Sequence, residues 1–174
     1  DINARRNLEI TEKMRDKSKK GTLLWVLDKT STSMGGRLLR RWLNDPLLEV
    51  KDIQERLDAV KELKDNMMLR GEITDTLKKV YDIERLAGKM TYGNANARDM
   101  ITLKNSLERL PEVKSVLEMC QSHKLKELYE NLDELKDVFA LIEKSIVEDP
   151  PMTIKDGGII KLGYNGEIDT LKRA

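Results

Sequence analysis

The chain has 174 residues, of which 36% are charged and 4% aromatic, and its 32 Lys and Arg against 31 Asp and Glu leave a formal net charge of +1. That length allows one domain with a real core and a small appendage. The near-neutral balance excludes whole-molecule attraction to nucleic acid, so any such contact needs a local stripe. The shortage of aromatics excludes a single-strand stacking platform. Charge well above the usual 25% or so points to helices with large solvated faces.

Arg6 to Thr11 alternates around Leu8 and Ile10, which predicts a short strand, and the lysine-rich Lys13 to Gly21 reads as a surface turn. From Thr22 a helical period begins with Leu23, Leu24 and Leu27. Thr30, Ser31, Thr32 and Ser33 then offer side-chain oxygens to the unpaired amides of a helix starting near Met34. Met34, Leu38, Leu39, Trp42 and Leu43 share one face of that helix, Arg37, Arg40, Arg41 and Asn44 share another, and Pro46 stops it. One short helix thus carries a buried stripe and a basic stripe.

Val50, Ile53, Leu57 and Val60 mark the next stripe, ending near Asp65-Asn66. Leu69, Ile73, Leu77 and Val80 follow, then Ile83, Leu86, Ala87 and Met90, each read as a core-facing helix by period. Thr91 to Asn94 breaks the pattern. Met100, Leu103 and Leu107 lead up to Pro111, which suits a helix first turn, and Val113, Val116, Leu117 and Cys120 recur at helical spacing behind it. Two more stripes, Leu125 to Leu132 and Leu135 to Ile146, have short connections that predict antiparallel neighbours.

Pro150-Pro151 ends the helical region. Met152 to Lys155 and Ile159 to Leu162 flank Asp156-Gly157-Gly158, a spacing that predicts a tight hairpin, with the Leu8 strand completing a three-stranded patch. A last helix opens at Asn165-Gly166 with Ile168 and Leu171. The expected fold is therefore mainly α, a bundle of antiparallel helices with a small β-hairpin patch formed near the chain ends. Starting at Asp1 without an initiator methionine and stopping at Ala174 inside a helical pattern, the sequence reads as an excised piece of a longer protein. The lone Cys120 rules out an internal disulfide and fits a reducing compartment. With no long apolar run and no leader, the expectation is a soluble, intracellular protein.

Candidate chemistry is thin. Gly88-Lys89 is followed by Met90 rather than Ser or Thr, and Gly157, Gly158 and Gly163 have no Lys-Ser/Thr and no helix immediately behind, so no phosphate loop is expected. Cys120 and His123 have ligand-like spacing but no companions to close a tetrahedral site, and nothing orients them as a nucleophile and base. Asp82 and Glu84 point to different sides of a helix, Asp82 standing where a helix start favours negative charge, and Asp99 beside Arg98 reads as a first-turn acid. The sole phenylalanine, Phe139, lies on a core stripe. Expected catalytic, cofactor and metal residues within the chain are therefore none. Arg37, Arg40 and Arg41 remain the candidates for DNA phosphate, with a salt bridge to another domain or a solvated face the favoured reading.

The phrase filled by Leu27, Asp28, Thr30, Thr32, Met34, Gly35, Arg37, Leu39, Trp42, Leu43, Pro46 and Leu47 resembles one that recurs in the core, or lever, region of the MutS family of DNA mismatch-repair proteins, and the family's bacterial branch above all. Further resemblances keep the family's order: Arg5 to Glu9, Asp82 to Leu86, Asn96 to Met100, Asp149 to Pro151 and Asp156 to Asn165. The resemblance implies a single core region over residues 1–174, cut where a helix would lead to a DNA clamp. It implies a structural part of a DNA-dependent ATPase, coupling mismatch recognition to ATP without chemistry of its own. ATP and Mg would belong to an absent ATPase region, and mismatched duplex DNA to the full-length homodimer. The fragment alone would be monomeric, and the location cytoplasmic and nucleoid-associated. The rival from another class is a helical scaffold with no DNA role. A helical enzyme would need two acids on one inward face, and no such pair stands out.

Overall fold

The computed structural model describes residues 2–173, so Ala174, where the helical pattern was expected to be cut, lies outside the described residues. The chain divides into two compact units, Asp1–Lys78 with Leu117–Glu130, and Lys79–Val116 with Asn131–Ala174. Helices account for the regular structure in both.

The first unit holds α1 (Ile2–Asn7), α2 (Leu23–Leu27), α3 (Ser33–Asn44), α4 (Val50–Asp65) and α5 (Met67–Lys78). Thr22, buried, starts α2 by accepting the Trp25 N–H while its hydroxyl donates to the Lys19 carbonyl. Asn66 serves two helices at once: its N–H donates to the Glu62 carbonyl at the end of α4, and its side chain accepts the Leu69 N–H opening α5. The α9 helix (His123–Asn131) joins this unit up to Glu130.

The second unit contains α6 (Ile83–Thr91), α7 (Ala97–Leu107), α10 (Lys136–Ser145) and α11 (Gly166–Arg173), and α8 (Leu110–Glu118) leaves it after Val116. Its core is a cluster of Leu86, Leu103, Leu107, Leu110 and Ile142, with Phe139, Met90 and Met100 among the partly buried side chains packed against it. Phe139 is thus a packing residue, as its stripe predicts. Buried Ser106 ties α7 to the start of α6 by accepting the Tyr81 N–H while donating to the Thr102 carbonyl.

Among the described residues there is no strand, and both β expectations are corrected. Arg6 to Thr11 is not a strand: α1 runs to Asn7, Glu9 takes a left-handed conformation (φ 46°), and Leu8 is 71% exposed. Ile10 receives a single backbone bond, from Leu24, so its alternation finds no ladder. The Met152 to Leu162 hairpin is replaced by a 3-10 turn, Ile154–Asp156, in which Thr153 and Asp156 cap each other. Gly157 does take positive φ (69°), but its ψ of −169° extends the chain and matches neither hairpin turn, whose first central residue takes ψ of about +30° in type I′ or about −120° in type II′. Ile160 pairs instead with Ile146 in one antiparallel bridge, flanked by bonds from Val147 to Ile159 and from Lys161 to Ser145.

A third correction concerns α4. The expected core stripe of Val50, Ile53, Leu57 and Val60 faces outward, whereas Ala59 is buried and Glu55, Arg56, Glu62 and Leu63 flank it half-buried. Burial follows the residues that make specific contacts, Arg56 and Glu62 above all, rather than the most apolar face.

Candidate functional site

The start of α3 is built from short hydroxyl side chains laid over two glycines. Thr32 accepts the Gly35 N–H at 3.0 Å, and Asp28 accepts both the Thr30 N–H at 3.2 Å and its hydroxyl at 2.7 Å. A Cβ at Gly35 would stand 3.1 Å from the Thr32 hydroxyl oxygen, and one at Gly36 would stand 3.2 Å from that of Thr30. The adjacent glycines therefore leave room for the cap that starts the helix. The bonds from Thr30 hold the Asp28 carboxyl below its usual range.

Arg37, Arg40 and Arg41 lie exposed along α3, and no residue of the helix is fully buried. Trp42, the largest side chain of the opposite face, meets α4: the Arg56 guanidinium sits 3.7 Å from the centre of its ring. At the end of the helix Asp45 pairs with Arg5 at 3.6 Å. An open cleft of about 410 Å³ beside this pair is lined by Arg5, Arg6, Thr11, Glu12 and Asn44. Its mixed charges, and the pairing of Arg5, make it a poor anion trap.

The same α4 helix holds the start of α9. The Glu62 carboxylate accepts the N–H groups of Gln121 (2.6 Å) and Ser122 (2.7 Å), and Glu55 lies 3.4 Å from His123 Nδ1. Burial would raise the Glu62 pKa, but the hydrogen bonds from Ser122 and Gln121 outweigh it, and the carboxyl lies below its usual range. Cys120 is fully buried, and burial with the nearby Glu62 charge pushes its thiol up. His123 is 74% exposed at its side chain, so the two members of the ligand-like spacing occupy different environments.

In the second unit the acids cap helices. Asp82 accepts the Arg85 N–H at 3.1 Å. Asn96 and Asp99 form a reciprocal capping box, and Lys89 reaches Asp99 at 2.7 Å. The Lys89 hydrogen bond, then that from Asn96, lowers the Asp99 pKa. The lysine that follows Gly88 is therefore engaged with a carboxylate. Arg98 donates through Nε to the carbonyl of buried Pro150 at 3.0 Å, joining two of the matched phrases in space. Lys161, inside the last phrase, donates to the Glu143 carbonyl at 2.6 Å, and Glu143 also receives Lys104 at 2.7 Å.

Arg56, Glu62 and Arg98 are the organising residues that sequence reasoning did not single out for these roles. Arg56 and Glu62 carried no local signal, because their partners lie far along the chain, on α3 and in the connection before α9. Arg98 stood in a matched phrase, but only folding shows that it reaches Pro150.

The family model described as MutS domain III matches residues 3–173. The chain is 58% identical over its full length to the DNA mismatch repair protein MutS of Ruminiclostridium cellulolyticum, covering 20% of that protein. It is 53% identical to that of Clostridium tetani and 51% identical to that of Acetivibrio thermocellus, in each case over the full chain and 20% of the relative. These relatives are bacterial, and the chain spans about one fifth of their length.

Proposed function

The chain belongs to the MutS domain III family, and on that premise we propose that it is the mechanical core of a DNA mismatch-repair ATPase. The observation that carries this reading is where the matched phrases end. Thr32 and Asp82 cap helices, Trp42 stacks under Arg56, Arg98 binds the Pro150 carbonyl and Lys161 binds Glu143. These are contacts that fix helices to one another and to their connecting loops.

Helices held in this way deform little and move as bodies, which suits a part that passes a displacement between distant ligand sites. Residues 1–174 then form one core region. Mismatched duplex DNA is gripped, and ATP with Mg bound and hydrolysed, by other parts of a homodimeric parent in the bacterial cytoplasm. By linkage, a mismatch that changes nucleotide affinity requires nucleotide to change DNA affinity by the same factor. Arg37, Arg40 and Arg41 are assigned to a neighbouring domain or solvent rather than to base reading: no aromatic companion stands on their stripe, and its amide, Asn44, lines the cleft beside the Arg5–Asp45 pair.

The test is ATP-driven release of the full-length protein from mismatched DNA. Gly35→Pro removes the N–H that Thr32 accepts and should slow release while leaving ATP hydrolysis without DNA near normal. Release at the wild-type rate, with the expected loss of helix stability confirmed, would overturn the coupling role.

A further inference from the structure

Residues 146–165, which join α10 to α11 in the second unit, are held by polar ties more than by packing. Met152, Ile154 and Leu162 along this connection are 69%, 75% and 72% exposed. A cavity of about 430 Å³ lies where it meets α7, lined by Ala97 and Met100 of that helix and by Ile154, Ile159 and Lys172. At its neck the Val147 N–H donates to the Ile159 carbonyl at 3.0 Å and the Lys161 N–H to the Ser145 carbonyl at 2.8 Å. The far end is fastened to α11: Lys172 donates to the Ile160 carbonyl at 2.7 Å, and the Gly163 N–H to the Asp169 carboxylate at 2.8 Å. The end of the connection and α11 therefore move together.

One carboxylate joins that body to two core helices. Glu143 of α10 receives the Lys104 ammonium of α7 at 2.7 Å and the Lys161 ammonium at 3.4 Å, and Lys161 also donates to the Glu143 carbonyl at 2.6 Å. The hydrogen bond from Lys104, then that from Lys161, holds the Glu143 carboxyl below its usual range, so it is ionised at neutral pH. Two cations thus share one anion, and the Lys104 side chain is only 13% exposed. Without the negative charge the two ammonium groups repel in a poorly hydrated place. Lys104 stands on a helix whose Leu103 and Leu107 belong to the core cluster, so Lys161 is the one able to leave.

We propose that Glu143 is an electrostatic latch: its carboxylate keeps the connection seated on α7 and α10, and loss of that hold lets the connection and α11 swing out together while the core stays folded. Arg98, bonded to the Pro150 carbonyl at 3.0 Å, holds the near end and serves as the pivot. Segments tied by exposed polar bonds open at far smaller cost than a packed cluster. The latch gives the mechanical core a moving part, and its use in coupling rests on that reading.

Amide hydrogen exchange of the full-length protein tests the latch. In Glu143→Gln the Val147 and Lys161 amides should exchange roughly tenfold faster or more than in the wild type, while the Leu103 and Leu107 amides of α7 keep their wild-type rates. Adding Lys104→Met removes the repulsion and should return the Val147 and Lys161 rates most of the way, which restored packing alone would not do. Unchanged exchange at those two amides in Glu143→Gln would overturn the proposal. So would acceleration that spreads equally through α7, or that persists in full in the double variant. Should Glu143→Gln fail to fold, Lys161→Met set against Lys161→Arg reads the same contact. Faster exchange at Val147 in the Met variant alone is expected, and equal rates in the two would overturn the latch. Normal ATP-driven release with no change of exchange in Glu143→Gln defeats this inference alone. A latch that opens as described, in a protein whose release ignores Gly35→Pro, defeats only the coupling role.

Discussion

The Arg56 guanidinium lies 3.7 Å from the centre of the Trp42 ring, so the most distinctive aromatic of α3 is held by a cation from α4. Trp42 keeps 38% of its surface exposed, which places the contact at the weaker end of such interactions, about 0.5–1 kcal/mol. Urea unfolding of Arg56→Ala, Trp42→Leu and the double variant should give a coupling energy in that range. Strict additivity of the two single changes would show that the stacking contributes nothing.

The Glu62 carboxylate, bonded to the Gln121 and Ser122 amides, makes the α4 to α9 tie sensitive to acid. Its folded pKa lies below the ordinary value of 4.5. The unfolded chain therefore takes up its proton first, and the stabilisation is whole above that value and lost as pH falls through the folded pKa. Glu62→Gln should cost about 1–2 kcal/mol at neutral pH and flatten the fall in stability on acidification. An unchanged pH profile would remove Glu62 from the account.

The corrected orientation of α4 gives opposite expectations for adjacent residues. Ala59 is 8% exposed, so Ala59→Leu should destabilise the 174-residue chain by about 1–3 kcal/mol through overpacking. Val60 is 57% exposed, and Val60→Ala should change stability by no more than about 0.5 kcal/mol. Equilibrium denaturation in which Val60 proves the costlier site would reverse the assignment of faces.

Leu107, 1% exposed at the centre of the second unit's cluster, should cost about 2–5 kcal/mol when cut to alanine. A loss below 1 kcal/mol or so would mean that the site collapses around the missing atoms. Thermal melting followed by circular dichroism is sufficient to decide it.

Cys120 is fully buried and its thiol is pushed up by that burial and by Glu62. Thiol reagents at neutral pH should therefore react only as the native chain opens, with a rate that rises as denaturant is added. Immediate stoichiometric reaction in native buffer would contradict the burial.

Helix content and most helix boundaries were legible in the sequence because the signals are local. Thr32 and Asp82 are caps a few residues from the amides they serve, and the Leu103 and Leu107 stripe shows its period within one element. The matched phrases identified the family for the same reason, since they are runs of neighbouring residues. The sequence alone thereby determined a mainly helical member of this family and the ends of its principal helices.

Which faces are covered was decided by tertiary structure. Period shows that α4 has an apolar side, but the partners of Arg56 and Glu62, on α3 and in the connection before α9, turn another side inward. The Asp156-Gly157-Gly158 turn is similar. Its glycines permit a hairpin, but pairing of Ile160 with Ile146, a residue beyond the turn's own neighbours, selected an extended path. Local chemistry sets what each segment is able to do, and the competition among distant partners for the same backbone and side-chain groups decides which option is taken.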